Sequence, residues 1–318
     1  MTSFTFTPAT REAAKARIAL AGPSGSGKTF TALAMATAMG SSVALIDTER
    51  GSASKYARGT TGDGFEFSTL QMYSFDPRDL PKALAAAAAE KFQVLIVDSL
   101  SHFWSGTGGM LEQVDQAAKR TGGGNSFAGW KQARPYERAM IDALVSYPGH
   151  VIVTMRTKTE YVVEPDERGR KVPRKVGLKP EQRDGIEYEF DIVGDLDHEN
   201  TLIVSKSRCQ ALSGAVIHKP GEEVATTVLQ WLGDGEPVPD AADLLDAACD
   251  PQLTIEDARF LHKQASKHQL LGAAVLHPTT GVPTTLRDYI EERGKALRTG
   301  QSPAGQPPTE QPPAETAA

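Results

Sequence analysis

Apolar residues in this chain fall into short continuous runs rather than one long stripe. "RIALA" (17–21), "SVALID" (42–47), "FQVLIVD" (92–98), "HVIVTM" (150–155), "FDIVGDLD" (190–197) and "TLIVSKS" (201–207) are rich in Val, Ile and Leu and read as strands. Between them lie stretches with helical spacing: "KTFTALAMATAM" after the first, "PRDLPKALAAAAAEK" before the third and "ARPYERAMIDALVSY" before the fourth. Strands apolar on both faces, alternating with helices, predict an α/β fold with a mostly parallel sheet covered on both sides. Only "HEN" separates the last two strands, so those two are expected to form an antiparallel hairpin.

Near residue 233 the pattern changes. "GDGEPVPDAAD" reads as a linker, and "AADLLDAACD", "TIEDARFLHKQASKHQLL" and "TTLRDYIEERGKAL" read as short amphipathic helices. Thr254 with Asp257, and Thr284 or Thr285 with Asp288, are placed to cap helix starts. From Thr299 the chain carries five prolines and no large apolar side chain, a composition expected to be disordered. The expected division is residues 1–233 as the α/β domain, 234–298 as linker and small helical domain, and 299–318 as tail.

Composition narrows the setting. The 318 residues carry a net charge of -6, so global charge does not point to nucleic acid, and any such role must come from local basic clusters. Cys209 and Cys249 are the two cysteines, too few for a disulfide framework, so a reducing compartment is expected. No apolar run reaches the roughly 18–20 residues of a membrane span, and the N-terminus lacks a signal-peptide pattern. A cytoplasmic protein with no membrane partner is the expectation.

The sharpest chemical signal is Gly22-Pro23-Ser24-Gly25-Ser26-Gly27-Lys28-Thr29, a complete G-x-x-x-x-G-K-[ST] between a strand and a helix. Its glycines let several backbone N–H groups converge on one anion at a helix N-terminus. Lys28 reaches the terminal phosphates of ATP, the Thr29 hydroxyl suits Mg²⁺, and Phe30 follows directly as a further candidate contact. The bland alternative is a Gly/Ser loop that happens to contain Lys-Thr. Asp98 ends the strand "FQVLIVD", where a carboxylate lies beside such a loop in an open parallel sheet and can hold the metal; alone, it could simply begin a turn. Hydrolysis also needs a group that orients or deprotonates water. Ser99 follows Asp98, so that group must come from elsewhere, and "LIDTERGSAS" offers Asp47 and Glu49.

The order phosphate loop, "LIDTE", "VLIVDSLSH", "VIVTMRTK", "LIVSKSR" resembles the RecA-like ATPase core, and more closely the bacteriophage-encoded RecA-like ATPases of the AAA group, over about residues 15–232. The resemblance implies a RecA-like P-loop NTPase core with a small helical C-terminal domain. It implies that Glu49 activates the water and that Ser99, Ser101 or His102 senses the γ-phosphate or positions water. It places Arg156 where the family often carries a polar amide that senses the γ-phosphate. It also implies that Lys206 and Arg208 cross to a neighbouring subunit's ATP, which requires a homo-oligomer with the ATP site at the subunit interface. Each has a plainer reading: Glu49 solvated, His102 in a surface loop, Arg156 paired with a loop carboxylate, Lys206 and Arg208 protecting an edge strand.

Two long segments sit where RecA-like proteins carry DNA-binding loops. One follows Asp98 and mixes Lys119, Arg120, Lys131 and Arg134 with Phe103, Trp104, Phe127 and Trp130. The other holds six basic and no acidic residues between Arg168 and Lys179. Contact with single-stranded DNA is expected there, through the backbone and sensitive to salt; alternatively the indoles pack on the core and the basic loop is solvated or closes over ATP. Cys209 reads as structural, and His218, His262, His268 and His277 lack metal-ligand spacing. The expected activity is Mg²⁺-dependent ATP hydrolysis serving phage recombination, annealing or replication. The alternatives are a phosphotransferase acting on a small acceptor and an ATP-dependent assembly module without significant turnover.

Overall fold

The structure is a computed structural model that describes residues 14–120, 125–165, 171–233 and 239–299, with the side chains of 159–177 outside the description. The elements run β1 (Arg17–Gly22), α1 (Lys28–Met39), β2 (Val43–Asp47), β3 (Ser68–Gln71), α2 (Asp79–Ala89), β4 (Val94–Asp98), α3 (Ser101–Ser105), α4 (Met110–Arg120) and α5 (Ser126–Val145). They continue with β5 (His150–Pro165), β6 (Lys171–Pro180), β7 (Ile192–Leu196), β8 (Thr201–Ser207), β9 (Val216–His218) and α6 (Glu222–Gly233). The C-terminal part adds α7 (Ala241–Ala248), α8 (Ile255–Lys267), β10 (Ala274–Leu276), β11 (Pro283–Thr285) and α9 (Leu286–Thr299).

The main sheet has the order β3-β2-β4-β5-β1-β7-β8-β9, with β6 paired to the extension of β5. From β3 to β7 every pairing is parallel; β7–β8 and β8–β9 are antiparallel. The "HEN" hairpin is therefore present. β1, β4 and β5 are apolar on both faces because each face is covered. Ile18, Leu20, Ile96 and Ile152 pack under α1 and α6, while Ala19, Ala21, Leu95, Val97 and Val153 pack under α2 and α5. Period-two alternation sends neighbouring residues to opposite faces, which a two-sided core requires.

Arg17 locks the lower end of the sheet. Its guanidinium is buried and donates to the carbonyls of Val145, Tyr147 and Gly149, at the end of α5 and just past it. Burial lowers its pKa to about 10. His150 is buried beside it, accepts the Ala16 N–H at 3.0 Å through Nδ1, and is pushed from 6.5 down to about 4, chiefly by burial.

Residues from 239 onward have their own core around Leu244, Leu261, Tyr289 and Ile290. This unit docks on the α/β body: Ala274 of β10 joins the cluster beneath α2 and α5, and Gly272 lies against Asp142. Asp240, within the stretch read as linker, caps α7 in a capping box with Asp243. Thr254 and Asp257 form a second capping box on α8, and Thr285 and Asp288 bond reciprocally at the start of α9. The Pro-rich tail beyond Thr299 and most of the basic stretch 168–179 lie outside the residues whose side chains are described.

The segment after Asp98 is helical at its end, as "ARPYERAMIDALVSY" predicted, but differs before that from the loop expected for it. It folds into α3, α4 and the 20-residue α5. Phe103 is fully buried, and Trp104 and Trp130 lie 5.7 Å apart against Met110, Val114 and Ala133. The apolar residues within it recur at helical spacing, which the eye for Gly-rich turns passes over.

Candidate functional site

Strand register gathers the site. Asp47 pairs with Asp98 across β2–β4, and Gly22 with Arg156 across β1–β5, so all four stand at one end of the sheet. The loop 22–29 leaves β1 there and opens α1. Gly25 and Gly27 both take positive φ, 81° and 80°, a region favouring glycine. A Cβ on Gly27 would also lie 2.1 Å from Asn200 Oδ1, so a side chain here would have to turn the Asn200 carboxamide away.

Lys28 Nζ donates to Pro23 O at 2.7 Å, which folds the ammonium over its own loop; burial lowers its pKa. Thr29 Oγ1 donates to Asp98 Oδ2 at 2.6 Å, and Thr154 Oγ1 donates to the other carboxylate oxygen. Asp98 is buried, and burial drives its pKa upward while both threonine hydroxyls pull it down. Ser26 Oγ is buried within the loop without a hydrogen-bond partner. Ser24 and Phe30 are exposed, and Phe30 makes edge contacts with Tyr56 and Phe65 at 6.0 and 5.3 Å.

Glu49 sits two residues past β2. Its backbone N–H donates to Asp47 Oδ1 at 2.6 Å, so Asp47 holds the turn that carries Glu49 and is itself buried and engaged. The Glu49 carboxylate meets Arg156 Nε at 3.0 Å. Arg156 is fixed in turn through its backbone, its N–H donating to Ser101 Oγ and its carbonyl accepting from Glu181. Behind them, Thr48 Oγ1 contacts His102 Nδ1 at 2.6 Å and accepts from the Ser99 N–H at 2.7 Å, while Phe75 stacks on the imidazole. Burial lowers the His102 pKa, with Arg156 pushing the same way.

The arrangement offers an anion cradle with a lysine, an adjacent hydroxyl and carboxylate, a second carboxylate beyond them and an arginine alongside. A hydroxyl and a carboxylate at hydrogen-bond distance are a hard-oxygen pair, the kind Mg²⁺ uses when phosphates complete its shell. Among the described residues no group of three or more His, Cys, Asp or Glu could hold a metal alone.

Lys206 and Arg208 are not brought to this place. β8 runs antiparallel to β7, so its C-terminal end lies beside Ile192, at the start of β1 and away from the phosphate loop. The separation is the length of β1, roughly 17 Å. Lys206 Nζ donates to the carbonyls of Glu187 and Phe190, and Arg208 pairs with Asp191 at 2.7 Å. Thr154, Thr48 and Asn200 join the site without any signal in the sequence. Strand-end hydroxyls carry no spacing signal, and only register shows what they face.

No helix among the described residues is long and apolar enough to cross a membrane. No curated protein matches the chain. A family model described as AAA domain matches residues 14–233, the span of the sheet, its helices and the phosphate loop. ATP binding with hydrolysis is the general function of that superfamily. The mixed, mostly parallel sheet flanked by helices is the architecture of P-loop NTPases, and the chain belongs to the AAA domain family within them.

Proposed function

We propose that this chain is a Mg²⁺-dependent, RecA-like ATPase of the phage-encoded kind that works on single-stranded DNA as a homo-oligomer. The observation that carries the hydrolytic part is the convergence of Lys28, Thr29, Asp98, Glu49 and Arg156 at one end of the sheet. In this reading the N–H groups of residues 22–29 and the Lys28 ammonium hold the phosphates. Thr29 and Asp98 hold Mg²⁺, which supplies charge neutralisation on the phosphate oxygens. Glu49 orients the attacking water and accepts its proton. Arg156 leaves Glu49 for the γ-phosphate, where a guanidinium offers two donors.

Acceptor phosphorylation is less well supported. The cavity of about 600 Å³ beside α5 is lined by Trp104, Trp130 and Arg138, among others, and by no residue of the phosphate loop and neither Glu49 nor Asp98. An acceptor bound there would not face the transferred phosphate.

Support for the oligomer is geometric. Lys206 and Arg208 face away from their own phosphate loop, so a role in hydrolysis requires another copy's site. Arg208 is the better candidate, with a side chain 57% exposed. Support for DNA is the exposure of Lys119, Arg120, Lys131 and Arg134 on α4 and α5, with Phe127 78% exposed between them. The test is ATP turnover with and without a single-stranded oligonucleotide at two salt concentrations. Stimulation that fades with salt supports the whole reading; turnover indifferent to DNA removes its nucleic-acid part.

A further inference from the structure

Trp104 and Trp130 each bury one side against Met110, Val114 and Ala133. Both also line the cavity of about 600 Å³ beside α5, a volume in the range that encloses a small ligand. The two rings are tilted by 32° and stand 5.7 Å apart, forming an aromatic wall. Ile141 adds apolar surface.

The charges around the cavity are not equivalent. Arg183 stands between Glu137, at 3.0 Å, and Glu189, at 2.5 Å, so those three form a closed ion-paired group. Arg134 and Arg138 are exposed, four residues apart on α5, and so lie on one helix face above the same cavity. Asp142, one turn on, is the remaining acid lining the cavity, a single carboxylate against two guanidinium groups. The result is an aromatic wall beneath two cations.

We propose that this cavity is a binding site for one nucleotide unit of a single-stranded nucleic acid, its base against the Trp104–Trp130 wall and its flanking phosphates on Arg134 and Arg138. A base offers a flat π-face that stacks on an indole without regard to sequence, and phosphates take the guanidinium fork. The inference rests on the nucleic-acid part of the function proposed above and assigns it a place. The site also has a short path to the ATPase centre: Trp104 lies at the far end of α3 from His102, which contacts Thr48 beside Glu49.

Tryptophan fluorescence reads this site directly. The chain has three tryptophans, so Trp231→Phe leaves only the two in the cavity. In this variant, with and without Mg²⁺ and ATP, titration with a dye-labelled oligothymidylate gives anisotropy and unlabelled oligothymidylate gives quenching. The expected result is quenching that parallels anisotropy, weakened severalfold by Arg134→Ala or Arg138→Ala, with the salt slope of log K reduced by about one for each. Free dTMP should quench only at far higher concentration, because it lacks the neighbouring phosphates; equal affinity for dTMP and the oligomer would overturn the strand assignment. Binding by anisotropy without quenching, or quenching untouched by both arginine variants, would overturn the cavity while leaving DNA binding intact. No binding in either signal would remove the partner as well. Both arginines are exposed, so these variants test contact rather than folding.

Discussion

Lys28 and Asp98 show how burial tunes the site. Lys28 Nζ rests on Pro23 O, and burial weakens its hold on a proton. Removing it takes away the side-chain cation of the loop, so Lys28→Ala should abolish nucleotide binding in a fluorescent-nucleotide titration; unchanged affinity would sink the loop assignment. Asp98 is buried with its pKa raised above the ordinary 3.8. Just above pH 3.8 the folded chain therefore keeps a proton that the unfolded chain has released. Stability from this group is present below about pH 4 and is lost as pH rises through the elevated value, so at neutral pH an ionised Asp98 costs stability. Asp98→Asn should raise the melting temperature of the ligand-free protein near pH 7 and abolish the extra stabilisation that Mg²⁺ with ATP gives. A lower melting temperature would mean that the Thr29 and Thr154 hydrogen bonds outweigh the desolvation. His150 has the opposite sign. Its pKa falls from 6.5 to about 4, so its contribution is whole above pH 6.5 and disappears as pH drops toward 4. Chemical-denaturation midpoints should fall across that window, and His150→Gln, which stays neutral, should flatten the fall.

At the scale of elements, the loop 22–29 shows why glycine is not interchangeable with alanine. Gly27→Ala must accept a φ of 80° and displace the Asn200 carboxamide, whose oxygen sits 2.1 Å from the added carbon. It should weaken nucleotide binding at least tenfold while the circular-dichroism spectrum is preserved; wild-type affinity would show that the β7–β8 turn yields freely. In the C-terminal unit, Thr254→Ala removes the capping box of α8 and should cost about 1 kcal/mol, read from denaturation. Much of this was legible in the sequence. α1 runs from Lys28 to Met39 as its apolar spacing and the phosphate loop required, and both threonine caps appear where Thr–x–x–Asp predicted them. Ser68–Gln71 was missed because all four of its residues are exposed, so β3 lacks the apolar alternation that marks a strand. Helices α3 and α4 and the start of α5 were missed because glycines flank them; small residues that punctuate the ends hid the helical spacing inside. The Glu49–Arg156 ion pair spans 107 positions in sequence, and no local pattern encodes such a contact.

For the whole molecule, the sheet has charged residues at both ends. One gathers Gly22, Asp47, Asp98 and Arg156; the other carries Lys206 and Arg208 beside Asp191. A polar element at each end suits head-to-tail association, in which the lower end of one copy meets the upper end of the next. Arg208→Ala should bind ATP but lose turnover. Mixing it with Lys28→Ala subunits, which keep Arg208, should restore part of the activity, because a hybrid interface then holds one intact loop and one intact arginine. No recovery at any mixing ratio would argue against transfer between subunits. The small C-terminal unit packs on α2 and α5 rather than hanging free, so it lies on the same body as the proposed nucleic-acid cavity.

The proposed role of Glu49, standing past β2 and paired with Arg156, is to drive hydrolysis of ATP held by the phosphate loop. Phosphate release and nucleotide affinity, measured together for the wild-type chain and Glu49→Gln in the presence of Mg²⁺, decide it. Wild-type turnover should require Mg²⁺, and the variant should bind ATP at least as well but release phosphate about a hundredfold or more slowly. Turnover by Glu49→Gln at the wild-type rate would contradict it.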